Sequence, residues 1–285
     1  DAALAAHLIR IGNSVTYGGE QRVGSVEEAV GRLGFQMTFR LVGEAAGIQL
    51  AQRPLKHYGI ETEQLREHML HTAFACEQLA IECGFDARRA YTAGLMRPLG
   101  LLVLDRLADH YTKPAIPDYH PVHDADYLAW EGRVFGIASP DVAAMVLTEW
   151  GFPIESIDAV RNQYLKRSED LSHRLACLLN LASGIVADEG RGLLGETDHW
   201  APSPWKLEAI GLTEERFQAA ATKAREAFAE FQRRMRGEVE PAPAAVVITR
   251  PQPVDGKLPA LFIEDPPAPT APAEPHGSMT VESCN

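Results

Sequence analysis

Two stretches of this sequence hold side chains of the types that bind metals or anions. One is His120-Pro121-Val122-His123-Asp124-Ala125-Asp126, where imidazoles and carboxylates, the usual donors to divalent cations, lie close together. Its spacing matches no metal site, and Asp124 has a simpler use as the cap of a helix expected to run to Phe135. The other stretch involves His71, on an apolar helical stripe, and Arg97, inside the apolar run from Ala90 to Leu104. A lone histidine on such a stripe is commonly a core residue. The alternative is a pocket in which His71 and the planar Arg97 guanidinium hold a phosphate-bearing metabolite or nucleotide. Nucleophile-elbow and phosphate-loop patterns are absent: there is no G-x-S-x-G and no G-x-x-x-x-G-K-[ST]. Cys76, Cys83, Cys177 and Cys284 make no C-x-x-C pair, and Cys76 and Cys83, two helical turns apart, are too distant for a disulfide, so free thiols are expected.

The elements that must position these residues are helical throughout. Leu4, Leu8 and Ile11 repeat at helical spacing up to Gly12-Asn13. Ser25-x-x-Glu28 is a capping box for a helix from Val26 to Leu33, and Phe35, Phe39, Val42, Ala46 and Leu50 mark a longer one. Leu65, Met69, Ala73, Cys76, Ala80 and Cys83 form the stripe of a helix from about Glu63 to Cys83, stopped by Gly84. Asp86 caps the next, which reaches Met96. Pro98 then breaks the apolar run, because it lacks an N–H and clashes with the preceding turn, and so puts Arg97 at a junction before a helix from Leu99 to Tyr111. The prolines of Lys113–His123 demand a loop. Ser139-Pro140-Asp141 starts a helix that ends at Trp150-Gly151, followed by helices from about Ile154 to Leu165 and from Glu169 to Asp188. An irregular excursion through Trp200 and Trp205 leads to a last helix from Glu214, capped by Thr213, to Met235. No alternating apolar run suits a sheet, so the fold class is all-α.

Several of these stretches together resemble one family. Ile11-Gly12-Asn13-Ser14-Val15-Thr16-Tyr17-Gly18 is similar to the L-A-N-S-A-x-Y-G turn of HDOD domains, and Trp150-Gly151-Phe152-Pro153 to their W-G-L-P turn. Ala93-Gly94-Leu95-Met96 and Leu99-Gly100 resemble the frame A-G-L-L-H-D-I-G-K-L of the HD superfamily of metal-dependent phosphohydrolases, of which HDOD domains are a regulatory branch. The resemblance covers most of residues 1 to about 235 and implies a multi-helix HD-like bundle. It also implies a bacterial signalling module that works through protein contacts beside response-regulator or cyclic-dinucleotide systems.

In that frame the metal-binding His-Asp pair reads Arg97-Pro98, and only His71 matches a ligand. Ser139 stands where a histidine is often found in the stretch similar to Val134–Val142. Arg161-Asn162-Gln163-Tyr164 stands for an R-Y-H-H-like stretch, and Asn180-Leu181-Ala182-Ser183 for H-L-A-D. The residues His71, Arg97, Ser139, Asn162, Gln163, Asn180 and Ser183 are therefore expected to line a vestigial pocket. Amides and hydroxyls do not replace charged ligands, so no metal, no cofactor and no catalysis are expected there. The expected function is non-catalytic signalling, with a small-molecule sensor or a divergent phosphohydrolase as alternatives.

The chain has 285 residues, 46% of them hydrophobic, and a formal net charge of −12, which disfavours nucleic-acid binding by a general basic face. No run is long and apolar enough for a membrane span and no signal peptide opens the sequence, so a cytoplasmic location without membrane contact is expected. The sequence opens inside a helical pattern, which suggests that N-terminal helices are missing. Trp200 and Trp205, in a loop with Pro202 and Pro204, are candidates for an exposed interaction surface, whereas Trp130 and Trp150 are expected to pack. The helical domain is expected over 1–236. Residues 237–285 are rich in proline and alanine, with seven acidic residues against two basic, and read as a disordered tail with apolar islands at Ala245–Ile248 and Leu258–Ile263.

Overall fold

The computed structural model describes residues 2–14, 17, 22–110 and 116–235. The Pro/Ala-rich segment, with its two apolar islands and Cys284, lies outside the described residues.

Twelve α-helices are found among the described residues, in the order α1 (Ala2–Gly12), α2 (Val26–Leu33), α3 (Phe35–Leu50), α4 (Thr62–Cys83), α5 (Ala87–Met96), α6 (Leu99–His110), α7 (Tyr127–Val134), α8 (Ser139–Glu149), α9 (Ile154–Arg161), α10 (Arg174–Asp188), α11 (Pro204–Ile210) and α12 (Glu214–Met235). The only strand-like feature described is a single antiparallel bridge between Leu55 and Ile60. The fold is all-α, as the periodicity predicts. No described helix is long and apolar enough to cross a membrane. Cys76, Cys83 and Cys177 are free thiols.

α4 is the central helix, packed against α5, α10 and α12. Burial on several sides explains why it carries Leu65, Met69, Phe74, Cys76 and Leu79 around its circumference rather than on one stripe. Two of the glycines that carry the family resemblance let helices touch. A Cβ on Gly94 would sit 2.8 Å from the Ala73 Cα, so α5 crosses α4 at backbone contact. A Cβ on Gly100 would lie 1.8 Å from the Ser139 carbonyl oxygen, and this brings α6 against the first turn of α8. Asn13 has a structural role too: its amide donates to the Val23 carbonyl at 2.8 Å and accepts from the Val23 N–H at 2.7 Å, tying the end of α1 to the entry of α2.

Several helix ends follow the predicted caps. The Ser25 hydroxyl accepts from Glu28 N–H, while the Glu28 carboxylate reaches back to Gly24 N–H. Asp86 accepts from the N–H groups of Arg88 and Arg89. Other ends differ. Asp126, not Asp124, caps α7, accepting from Ala129 N–H, and Asp124 instead pairs with Arg133. α9 stops at Arg161, and α10 starts at Arg174 with the His173 side chain as its cap, after a short 3-10 turn at Ser168–Asp170. The excursion before α11 contains a 3-10 segment, Leu194–His199, that returns into the body.

Candidate functional site

The site is built on the α5–α6 junction. Pro98 has no N–H to give and opens the next helix, so Arg97 ends α5 with its side chain wholly inside the protein, 2% exposed. A buried guanidinium needs anionic and neutral acceptors. The 3-10 segment Leu194–His199 brings the Glu196 carboxylate, itself buried, onto Nη2 of Arg97. From α4, His68 accepts a hydrogen bond at its Nε2 from Arg97 Nη1 at 2.6 Å, and its Nδ1–H donates to the Arg191 carbonyl at 3.0 Å. Tyr164 donates its hydroxyl to the other oxygen of Glu196. Trp200 covers the group with its ring centroid 4.7 Å from the guanidinium carbon, and it packs tilted against the Tyr164 ring at 5.1 Å.

The electrostatics agree with these roles. Burial works hardest against the charge on Arg97, but Glu196 and Tyr164 together outweigh it and Arg97 is held above its ordinary pKa. Burial, reinforced by Arg97, pushes His68 down to about 3, so it is neutral and can only accept from the arginine. Burial, then Glu196, raises Tyr164 well above the ordinary phenol value, so it stays a donor. The result is a closed relay of one cation, one carboxylate, a neutral imidazole and a phenol.

The expected pocket residues are only partly brought together. Arg97, Gln163 and Asn180 do meet: the Gln163 amide donates to the Val160 carbonyl at 2.8 Å and lies 3.4 Å from the Arg97 carbonyl, and Asn180 donates to the carbonyls of Gln163 and His199. His71 is placed elsewhere. It stacks on Phe228 of α12 at 4.4 Å with the Glu189 carboxylate 3.2 Å away, and burial pushes it down to about 4. His68 therefore takes the position beside Arg97 that the sequence reading assigns to His71. Ser139 opens α8, and its N–H donates to Glu131 at 2.6 Å. Asn162 bonds Asp158 at the C-terminus of α9, and Ser183 bonds the Leu179 carbonyl of its own helix.

Residues that sequence reasoning missed are His68, Tyr164, Glu196 and Glu131. Glu131 is fully buried, accepts from Tyr58 and from Ser139 N–H, and is pushed up to about 7 by burial. An arginine in an apolar run does signal a buried acid somewhere, because it is almost never buried unpaired. Nothing in the aperiodic stretch around Glu196 marks it as that acid. Trp200 is buried over Arg97 rather than exposed, Trp205 is half-buried, and Trp150 is 52% exposed. The Trp200 indole turns inward, where it covers the Arg97 guanidinium.

A divalent cation does not fit here. The lone pair of His68 Nε2 is taken by Arg97, whose fixed charge would repel the ion. Among the described residues no three or more histidine, cysteine or acidic side chains converge in an arrangement that could hold a metal. The cluster from His120 to Asp126 is used locally: His120 and His123 have their rings 5.0 Å apart, Asp124 pairs with Arg133, and Asp126 caps α7 while holding His199 at 3.2 Å.

Comparison with known proteins agrees with the fold. The chain is similar to a structure from Marinobacter aquaeolei VT8 described as a signal transduction protein, with 24% identity and a TM-score of 0.60 over 84% of this chain and 52% of that one. It thus spans about half the length of that relative. A phosphohydrolase-named structure from Shewanella amazonensis SB2B matches with 22% identity and a TM-score of 0.57 over 84% of both chains. An HDOD domain protein of unknown function from Geobacter sulfurreducens matches with 16% identity and a TM-score of 0.55, over 81% of this chain and 80% of that one. No curated protein matches the chain. The HDOD domain family model matches residues 1–165, more than half of the sequence and the part that carries the Arg97 junction, so the chain belongs to the HDOD domain family.

Proposed function

We propose that this chain is a regulatory signalling module that has exchanged metal-dependent hydrolysis for a structural ion pair and acts through contacts with other proteins. The observation that supports this reading is the buried Arg97–Glu196 pair, closed by His68 and Tyr164, at the junction where the family frame carries a metal-binding His-Asp pair. Hydrolysis of phosphate esters by an HD-type site needs a cation with an open position that lowers the pKa of a bound water. Here the positive charge belongs to a guanidinium, which has no coordination position to offer. Of the directions that the neighbours' names suggest, signal transduction and phosphohydrolysis, the filled centre favours the first. Components of response-regulator or cyclic-dinucleotide pathways are the partners that suit it. A sensor using the relic cavity is less favoured, because Glu196 already occupies the arginine and Trp200 covers it.

The test is elemental analysis of the purified protein together with hydrolysis of bis(p-nitrophenyl) phosphate in manganese or magnesium. We expect substoichiometric metal and no metal-dependent turnover. Turnover that depends on added metal and disappears in His68→Ala would overturn the reading.

A further inference from the structure

α8 and α9 build a face on which apolar and acidic side chains stand open together. Asp141, Met145, Thr148 and Glu149 recur at helical spacing along the outer side of α8, and Ile154, Ile157 and Arg161 do so along α9. The two stripes face each other across a cavity of about 680 Å³. Its floor is apolar near the Trp150–Pro153 corner, where Met145 is 65% and Ile154 71% exposed. Large apolar side chains that stand open in one groove, rather than scattered, mark a contact surface. At the other end Arg161 and Asp141 pair at 2.8 Å, and beyond them a second concavity of about 500 Å³ shares both residues and adds Asp158 and Asp170.

The charge of this continuous groove is one-sided. Asp141, Glu149, Asp158 and Asp170 line it, and of these Asp141 is engaged by Arg161 and Asp170 by Arg167, so four acids meet two cations and the rim stays acidic. A second copy of the chain would bring the same acids to the same place and carry a net charge of −12 with it, so self-association through this face is opposed. Two facing helical stripes with an apolar floor suit a helix that lays apolar anchors, one turn apart, into the groove. We infer that the α8–α9 groove is a docking site for an amphipathic helix of a partner protein, whose aliphatic anchors rest on Met145, Ile154 and Ile157 and whose flanking lysines or arginines face the acidic rim.

This inference deepens the regulatory reading and rests on it, since it names the surface through which such a module would act. The test titrates the full chain with two short synthetic helical peptides that share leucine positions, one with lysine and one with glutamate at the other positions, following the fluorescence of the exposed Trp150. The lysine peptide should bind about tenfold or more tightly than the glutamate peptide. Ile154→Asp should weaken it by about tenfold, the usual scale for removing an interface anchor. That substitution adds a negative charge, so association through charge alone would tighten where docking in the groove loosens. Equal binding of both peptides, no binding, or binding indifferent to Ile154→Asp overturns the proposal. Sedimentation showing a dimer that Ile154→Asp dissociates would also overturn it and give the face to a second copy. Metal-dependent turnover in the same preparation would sink the regulatory reading whatever the peptides do, whereas failure of the peptides alone leaves that reading standing.

Discussion

The Arg97 centre and the α8–α9 groove invert the usual placement of side chains. At the centre an arginine, a glutamate, a histidine and a tyrosine are enclosed by apolar helices. On the groove a methionine, a tryptophan and an isoleucine stand in solvent. The buried group gains from low dielectric only while every member is partnered, so it is sensitive to loss of any one of them. The exposed group contributes almost nothing to folding. On the proposed reading, stability and contact with partners are carried by different residues, and substitutions should separate them.

The sharpest separation is at the ion pair. Glu196→Ala leaves a buried guanidinium without its carboxylate and should destabilise the fold by about 3–5 kcal/mol, read from urea unfolding. Replacing both partners, Arg97→Met with Glu196→Leu, should recover much of that loss, because no uncompensated charge remains. A single variant as stable as the parent would show that the pair is not closed as described. Next in size is Gly100→Ala. The new Cβ would have to displace the Ser139 carbonyl from 1.8 Å, forcing α6 and α8 apart at a cost of about 1–3 kcal/mol. Since α8 also carries half of the groove, this variant should weaken partner binding as well, a coupling that the ion-pair double variant should not show.

The pH dependence gives a smaller effect with a definite sign. His68, held down to about 3 from its ordinary 6.5, keeps the folded chain unprotonated where the unfolded chain takes up a proton. Stability therefore falls on acidification through that window, by up to about 1.4 kcal/mol per pH unit for one proton. His71, at about 4, acts in the same direction. Glu131 acts in the opposite one: raised to about 7, it contributes stability at low pH that is lost as pH rises through 7. His68→Gln keeps an acceptor for Arg97 and removes the titration, so the urea midpoint should fall less steeply between pH 6 and pH 4 than in the parent. An unchanged slope would mean that His68 is not the neutral acceptor.

The helices were legible in the sequence where local chemistry sets them. Ser25, Asp86 and the Ser139-Pro140 start mark real helix entries, and Gly84 marks a real exit. That Arg97-Pro98 stands where the resembling frame carries His-Asp was equally plain, since it can be read without coordinates. Which side chains close around Arg97 was not. His68 and His71 lie three residues apart, only about 60° around a helix, and periodicity does not choose between two such neighbours. The choice is made by Phe228, which takes His71 from α12, and by Arg97, which takes His68 from α5. Glu196 comes from a stretch with no repeat to read, and its partnership with Arg97 spans 99 residues of sequence. Such long-range pairing of charges is a tertiary fact, and local patterns leave it open. The groove was missed for a related reason. Trp150 belongs to a turn that resembles a family marker and reads as a packing residue, yet half its surface faces solvent because α9 turns away at Gly151, whose φ of +70° lets the chain reverse.

The smallest effect on folding is expected at the groove, and there it is the lack of effect that informs. Met145 is two-thirds exposed and sits in the middle of α8, where alanine is an equally good helix former. Met145→Ala should therefore change the urea midpoint by no more than the equivalent of about 0.5 kcal/mol, the range of surface substitutions that remove no buried contact. If the methionine is kept for a partner, the same variant should lose affinity for the lysine-bearing helical peptide while its helical circular dichroism stays that of the parent. A large loss of stability would instead mean that Met145 already supports α9 across the cavity, which would make the groove a packing defect of the fold rather than a surface kept open. The distinction matters because α8 is anchored at its first turn by Gly100 and Glu131, so its far end can be altered without reaching the Arg97 centre.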